Sequence, residues 1–220
     1  ITESVLGRGR IVVLAFDLPL CVLLLRQGDP DRAEVLPETD TCARPSHLAT
    51  DIGPQDSGWV PFADQLALLF VDIVRRAIPA PVPVLGHMPG AAPGLLLFSG
   101  DEDNAPVDFT DGELDYLTSL GARMNLYIIP TTTHATRADV NRFSRHHDVG
   151  PHPNIRKLDG RPVRERVDEF THQIRMFEDL FGIKPRSYRN HCHAWAGYLE
   201  PVDALEALGV RMDANYMCSN

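Results

Sequence analysis

Residues 94–103, Gly-Leu-Leu-Leu-Phe-Ser-Gly-Asp-Glu-Asp, constrain the fold more than any other stretch of the chain. A short apolar run between glycines suits a buried strand better than a helix. It ends in three consecutive acids. Carboxylates crowded at a strand end repel one another unless a cation or a shared proton neutralises them. In open α/β sheets and β/α barrels, that carboxyl end is also where ligands bind. The run therefore predicts a parallel α/β architecture with a metal-assisted hydrolytic site at its strand ends. Asp101, Glu102 and Asp103 are the first candidates.

The pattern downstream is regular. Thr110-Asp-Gly-Glu113 reads as a capping box opening a helix to about Leu120. Asn125–Ile129 reads as a strand closed by Pro130, and Thr136–Phe143 as a short helix. Arg164–Phe181 is amphipathic, with Val167, Phe170, Ile174, Phe177 and Phe181 on one face and Gly182 as its stop. A strand near Ser187–His191, a helix over 201–208, Gly209 and a strand from Val210 complete the series. Alternating strands and helices imply a parallel sheet or barrel.

Upstream, Ile11–Leu18 suits a buried strand, and residues 8–25 read as strand plus connection rather than as a targeting segment. Gln27 to Trp59 is rich in Pro, Asp, Gly and Ser and reads as a long loop. Residues 62–78 read as a mostly buried helix. Pro79, Pro81, Pro83, Pro89 and Pro93 punctuate a stiff connector, which places a domain boundary near residue 90. The expected organisation is a smaller α/β segment over 1–90 followed by a second domain over 91–220. Starting at Ile1 and stopping after a Met-Cys-Ser run, the chain reads as a segment of something longer.

Composition excludes some functions. Of 220 residues, 44% are hydrophobic and 23% charged, as in ordinary globular proteins. The net charge of -9 argues against nucleic acid or an anionic membrane as partner. Cys21, Cys42, Cys192 and Cys218 form no CxxC pair, so no cysteine-rich zinc site is expected. No apolar run reaches the ~18 residues of a membrane-spanning helix.

Three clusters carry chemistry: Asp101-Glu102-Asp103, His146-His147-Asp148-Val149-Gly150-Pro151-His152-Pro153, and Arg189-Asn190-His191-Cys192-His193. If the strands run parallel, all three open onto one face. A carboxylate with two imidazoles suits a borderline divalent metal, Zn²⁺ first and Co²⁺ or another first-row ion next. Three protein ligands leave positions open, the mark of a catalytic site. His146 and His147 read as surface or supporting residues, and His87 and His134 as ordinary loop residues.

Over about residues 94–220 this pattern resembles the polysaccharide deacetylase family, also called the NodB homology domain or carbohydrate esterase family 4. His152 follows Asp103 by 49 residues (103 to 152), and Arg189 follows His152 by 37 (152 to 189). The resemblance implies an incomplete, distorted (β/α) barrel of the polysaccharide deacetylase type. It implies Asp101 as general base, Asp103 and His152 as metal ligands, and Arg189 as the partner of the base. Trp195 and Tyr216 are the candidate substrate-binding aromatics. The implied activity is metal-dependent removal of acetyl groups from N- or O-acetylated carbohydrate, at the cell surface or outside the cell.

This sequence departs from the family pattern in three places. Arg156 stands where the family has its second histidine, so His191 becomes the replacement ligand, with His193 and His147 behind it. The acidic motif is Asp-Glu-Asp, which lets Glu102 compete for either aspartate's role. The family's late Leu-x-x-His motif, source of the general acid, has no counterpart in these 220 residues. Two alternatives follow: a non-catalytic carbohydrate-binding or scaffold module on a degenerate deacetylase fold, or a metal-dependent hydrolase of a small amide or peptide. The N-terminal part, through Gly-Arg-Gly-Arg-Ile-Val-Val-Leu-Ala-Phe-Asp and Leu-Arg-Gln-Gly-Asp-Pro, weakly resembles the end of a glutamine-amidotransferase-like domain. It carries no Cys-His-Glu triad, and no activity is assigned to it.

Overall fold

Two short ladders of parallel strands carry the C-terminal edge on which the candidate residues sit. The computed structural model describes residues 1–36, 42–48, 61–78, 80, 81, 83, 90 and 92–215. The chain forms two compact units. The first holds Ile1–Asp31 and Leu48–Leu95, and the second holds Arg32–His47 and Leu96–Met217. A single cut near residue 90 therefore does not separate them, because Arg32–His47 packs with the later sequence.

In the first unit, β1 (Thr2–Leu6) and β2 (Gly9–Val13) form an antiparallel hairpin. Its two-residue turn starts at Gly7, whose φ of 60° suits a residue without Cβ. Helices α1 (Leu18–Gln27) and α2 (Phe62–Ala77) pack on each other. Two expectations are corrected here. The strand expected over Ile11–Leu18 stops at Val13, because Asp17 caps α1 by accepting from the Leu20 N–H at 3.0 Å, and Pro19 sits in the first turn. Those two residues end the strand and start a helix. The helix expected over 62–78 as mostly buried forms over Phe62–Ala77, but none of its residues is fully buried.

The second unit is mixed α/β. Strands β3 (Phe98–Asp101), β4 (Met124–Ile128) and β5 (Asp148–Pro151) form one parallel ladder in that order. Strands β6 (Ser187–Tyr188) and β7 (Met212–Asp213) form a second. Among the described residues the two ladders do not close into a barrel. Strands β5 and β6 still abut. A Cβ on Gly150 would lie 2.4 Å from the Ser187 carbonyl oxygen, so this approach requires glycine. The Arg189 N–H donates to the Pro151 carbonyl at 3.2 Å just past the strand ends.

Helices α3 (Val107–Ser119), α4 (Arg137–Phe143), α5 (Val163–Phe181) and α6 (Glu200–Leu208) complete the unit. Phe170, Ile174, Phe177 and Phe181 form the buried stripe of α5, and Gly182 ends it in the left-handed conformation. Phe177 and Phe181 join Leu126, Ile128, Val140 and Phe143 in one core cluster. Phe170 and Ile174 join Ile155, Tyr188 and Leu205 in another. Full burial of each such side chain contributes about 1.5–3 kcal/mol.

The capping box falls at a different place from the one expected. Helix α3 begins at Val107 after Pro106, which leaves Thr110 inside the helix. The box that forms is Thr136 with Asp139, at the start of α4. The apolar run at 94–97 is also corrected: Leu96 and Leu97 are each 77% exposed. The ladder begins only at Phe98, and among the described residues β3 is paired on one side. Strand β5, not read from the sequence, is only four residues long and contains both Gly and Pro.

Candidate metal centre

Asp101, Asp103, His152, Arg189 and His191 lie at or just past the C-terminal ends of parallel strands. Asp101 ends β3, and Asp103 follows two residues later. His152 follows β5, and Arg189 and His191 follow β6. Asp103 Oδ1, His152 Nε2 and His191 Nδ1 converge. Their separations are 3.5 Å (Asp103–His152), 3.2 Å (Asp103–His191) and 3.3 Å (His152–His191). Bonds of 2.0–2.2 Å at tetrahedral angles would place ligand atoms about 3.4 Å apart. The three atoms thus fit one face of a tetrahedral Zn²⁺ or Co²⁺ site.

The tautomer of His152 agrees. Its Nδ1–H donates to the Arg189 carbonyl at 2.7 Å, which leaves the Nε2 lone pair facing Asp103 and His191. His152 is 1% exposed, and burial holds its pKa below the usual imidazole value. Burial thus favours the neutral ring, the state a ligand needs.

Asp101 stands beside this triangle, with Oδ2 3.7 Å from His152 Nε2. Its Oδ1 accepts from Arg189 NH1 at 3.0 Å. Arg189 is fixed on several sides: NH2 donates to Ser99 Oγ at 2.6 Å, Nε donates to the Ala214 carbonyl at 3.3 Å, and the guanidinium stacks 4.8 Å from the centre of the Tyr127 ring. Ser99 and Asp101 reach the same guanidinium because residues two apart on a strand share a face. That spacing was readable in the sequence, although Ser99 was not picked out.

Glu102 does not compete with the aspartates. It is 4% exposed, accepts from Thr133 Oγ1 at 3.0 Å and from the Asn104 N–H at 3.2 Å, and so ties down the loop that presents Asp101 and Asp103. Burial raises its pKa despite both bonds. Asp103 and Asn104 have φ of 45° and 64°, a left-handed pair that this anchoring sustains. Thr133 was missed in the sequence; its only signal is the Thr-Thr-Thr run after β4.

The remaining candidates separate. His193 is placed near Asp101 and Arg189, with its pKa lowered first by burial and then by the Arg189 charge. Its φ is 53°, that of Cys192 is 57°, and its Nδ1 is buried with no hydrogen-bond partner among the described residues. Trp195, expected as a sugar platform, is 2% exposed and its indole N–H donates to the Tyr198 carbonyl at 3.1 Å, so it offers no open face. Tyr216 lies outside the described residues. Arg156 is exposed, with NH1 3.6 Å from Cys192 Sγ.

His147 precedes β5 and so lies at the opposite edge of the ladder from His152. Its Nδ1 accepts from the Met124 N–H at 3.2 Å, so Nε2 carries the hydrogen and faces Thr118 Oγ1 at 2.9 Å. A proton on Nδ1 would set two donors against each other. Burial, the largest cause, lowers the His147 pKa below 6.5. As pH falls through 6.5 the unfolded chain takes up a proton that the folded chain resists, so stability is present above that pH and is lost below it. His147→Gln is expected to flatten part of the decline in Tm between about pH 8 and pH 5.5. Identical declines in both proteins would remove His147 as a cause.

No protein-family model and no curated protein matches this chain. Solved structures do. The family 4 carbohydrate esterase from Streptomyces lividans, in complex with acetate, aligns at 15% identity and a TM-score of 0.43, over 56% of this chain and 62% of that one. A Streptococcus mutans family 4 esterase aligns at 18% identity and a TM-score of 0.42, over 53% and 54%. Wild-type BA3943, a family 4 pseudoenzyme from Bacillus anthracis, aligns at 14% identity and a TM-score of 0.42, over 53% and 41%. The chain thus spans less than two thirds of each of these structures.

Proposed function

We propose that this chain is a metal-dependent hydrolase that releases acetate from acetylated carbohydrate, with N-acetyl groups as the first choice. The observation that carries this reading is the convergence of Asp103 Oδ1, His152 Nε2 and His191 Nδ1 beside an Asp101–Arg189 pair. The carbohydrate class rests on the motif order of the sequence. Asp103, His152 and His191 would hold a divalent cation, Zn²⁺ first, which when bound supplies Lewis acidity toward water and the acetyl carbonyl.

The chain's own groups do the rest. Asp101 accepts a proton from the attacking water, since its Oδ2 faces the triangle while its Oδ1 is taken by Arg189. Arg189 aims that carboxylate through the hydrogen bond from its NH1 to Asp101 Oδ1. Attack on the acetyl carbon forms the new C–O bond and breaks the C–N bond; the proton taken up by Asp101 offsets the one the departing nitrogen acquires, so water and the amide give acetate and a free amine. A second reading, a non-catalytic carbohydrate-binding module, is favoured by Arg156, a cation in the place of a motif histidine.

Metal content separates the two. Protein purified without chelator is expected to hold near-stoichiometric Zn²⁺ or a similar metal, and to release acetate from N-acetylated oligosaccharides. Absence of metal, even after adding Zn²⁺ or Co²⁺, would sink the enzyme reading in favour of the binding module. Bound metal with acetate released only from small amides or peptides would sink the carbohydrate assignment.

A further inference from the structure

The turn that carries His191 does not hold its own shape. His191–His193 form a single 3-10 turn in which Cys192 and His193 both have left-handed φ. Neither is a glycine, so something outside the turn must sustain the conformation. Part of the support is local: the His191 N–H donates to the Pro153 carbonyl at 2.8 Å, and Asn190 Nδ2 donates to the Ala194 carbonyl at 2.7 Å.

The rest comes from far away in sequence. The Trp195 N–H donates to the Ala43 carbonyl at 2.7 Å, and the Gly197 N–H donates to Glu34 Oε1 at 2.6 Å. The other Glu34 oxygen pairs with Arg166 NH2. Arg166 is 2% exposed, and its NH1 donates to the Trp195 carbonyl at 3.2 Å. Cys42 is fully buried in the cluster of Phe170, Tyr188 and Ala194, with Sγ 4.0 Å from the Cys192 carbonyl oxygen. Glu34 itself has a φ of 68°, a strained backbone for a side chain that ties together a buried cation and the far end of the His191 loop.

We propose that Glu34 is a positioning residue for the metal centre: with Arg166 it clamps the 191–197 loop and so sets where His191 Nδ1 sits. The proposal rests on the metal-site reading above. It goes beyond that reading because it makes Arg32–His47, which the sequence places in a separate N-terminal domain, part of the scaffold of the site. Among the described residues, Asp103 and His152 make no hydrogen bond or ion pair with Arg32–His47, whereas His191 lies in the loop that this segment holds at Trp195 and Gly197.

The test uses the full chain, with Zn²⁺ affinity read by chelator competition and Co²⁺ coordination read by visible absorption. Glu34→Ala is expected to weaken binding by about 10–100-fold, the usual effect of removing a residue that orients a ligand. Glu34→Gln keeps an acceptor for Gly197 but turns an NH2 donor toward Arg166, so it recovers only the Gly197 part of that loss and serves as the second probe if the alanine variant folds poorly. In a His191→Ala background the Glu34 change is expected to have no further effect on affinity, since the ligand it positions is gone. Equal losses in both backgrounds, or wild-type affinity in a folded Glu34→Ala chain, would overturn the proposal. Amide exchange at Trp195 and Gly197 in metal-free protein gives a readout that needs no metal: it is expected to quicken in Glu34→Ala, and unchanged protection would overturn the clamp. A wild type that binds neither ion defeats the metal-site reading, and with it the role toward His191, whatever the exchange shows.

Discussion

Asp101→Asn is expected to keep its metal and lose about 10²–10⁴-fold in turnover, the range for removing a general base. Asparagine has the same shape. Its amide oxygen still accepts from Arg189 NH1, and its packing at the end of β3 is retained. What it lacks is the basicity to take a proton from water. Asp101 Oδ2 lies 3.7 Å from His152 Nε2, whereas Asp103 Oδ1 lies 3.2 Å from His191 Nδ1 and completes the triangle. The two aspartates are therefore expected to respond differently to the same change. Metal stoichiometry and acetate release from an N-acetylated oligosaccharide, measured on one preparation, decide the matter. Normal turnover would remove Asp101 from the chemistry. Loss of metal would make it a ligand instead.

His152→Ala is expected to lower Zn²⁺ affinity by more than about 100-fold and to destabilise the metal-free fold as well. The second effect comes from burial. The imidazole is 1% exposed, and removing it leaves a cavity together with an Arg189 carbonyl that has lost its donor. An orphaned buried acceptor alone costs about 1–3 kcal/mol. His191→Ala makes the informative contrast, because its side chain is 22% exposed and its loss is expected to reduce metal affinity with a much smaller change in metal-free Tm. Chelator competition and thermal melts without metal would test both variants. Unchanged affinity in either one would remove that histidine from the ligand set.

The parts of the fold that the sequence made legible are those with strong local signals. Helix α5 is written in the spacing of Phe170, Ile174, Phe177 and Phe181 and in the glycine that follows. Strand β4 is an apolar run with Pro130 close behind. Strand β5 was not legible, because four residues containing Gly and Pro have no strand pattern of their own. It exists because the edge of β4 offers a ladder and because Gly150 lets the Ser187 carbonyl approach. The exposure of Leu96 and Leu97 was likewise unreadable, since an apolar run says what favours burial and not whether a partner surface is there.

For the site, the sequence by itself determined the chemical inventory and its order: acids after one strand, a histidine further on, and an arginine and another histidine at a later strand. Parallel strands then put those groups on one edge, a consequence of strand polarity that follows once the alternation is recognised. Only the tertiary structure decided how the roles are divided. It turned Glu102 inward onto Thr133 and Asn104, sent His147 to the opposite edge, buried Trp195, and brought Glu34 and Cys42 against the loop of His191. Those outcomes depend on which way a side chain points and on contacts between residues more than a hundred positions apart. Neither is encoded in local spacing, because each is settled by competition for burial and for hydrogen-bond partners across the whole folded unit.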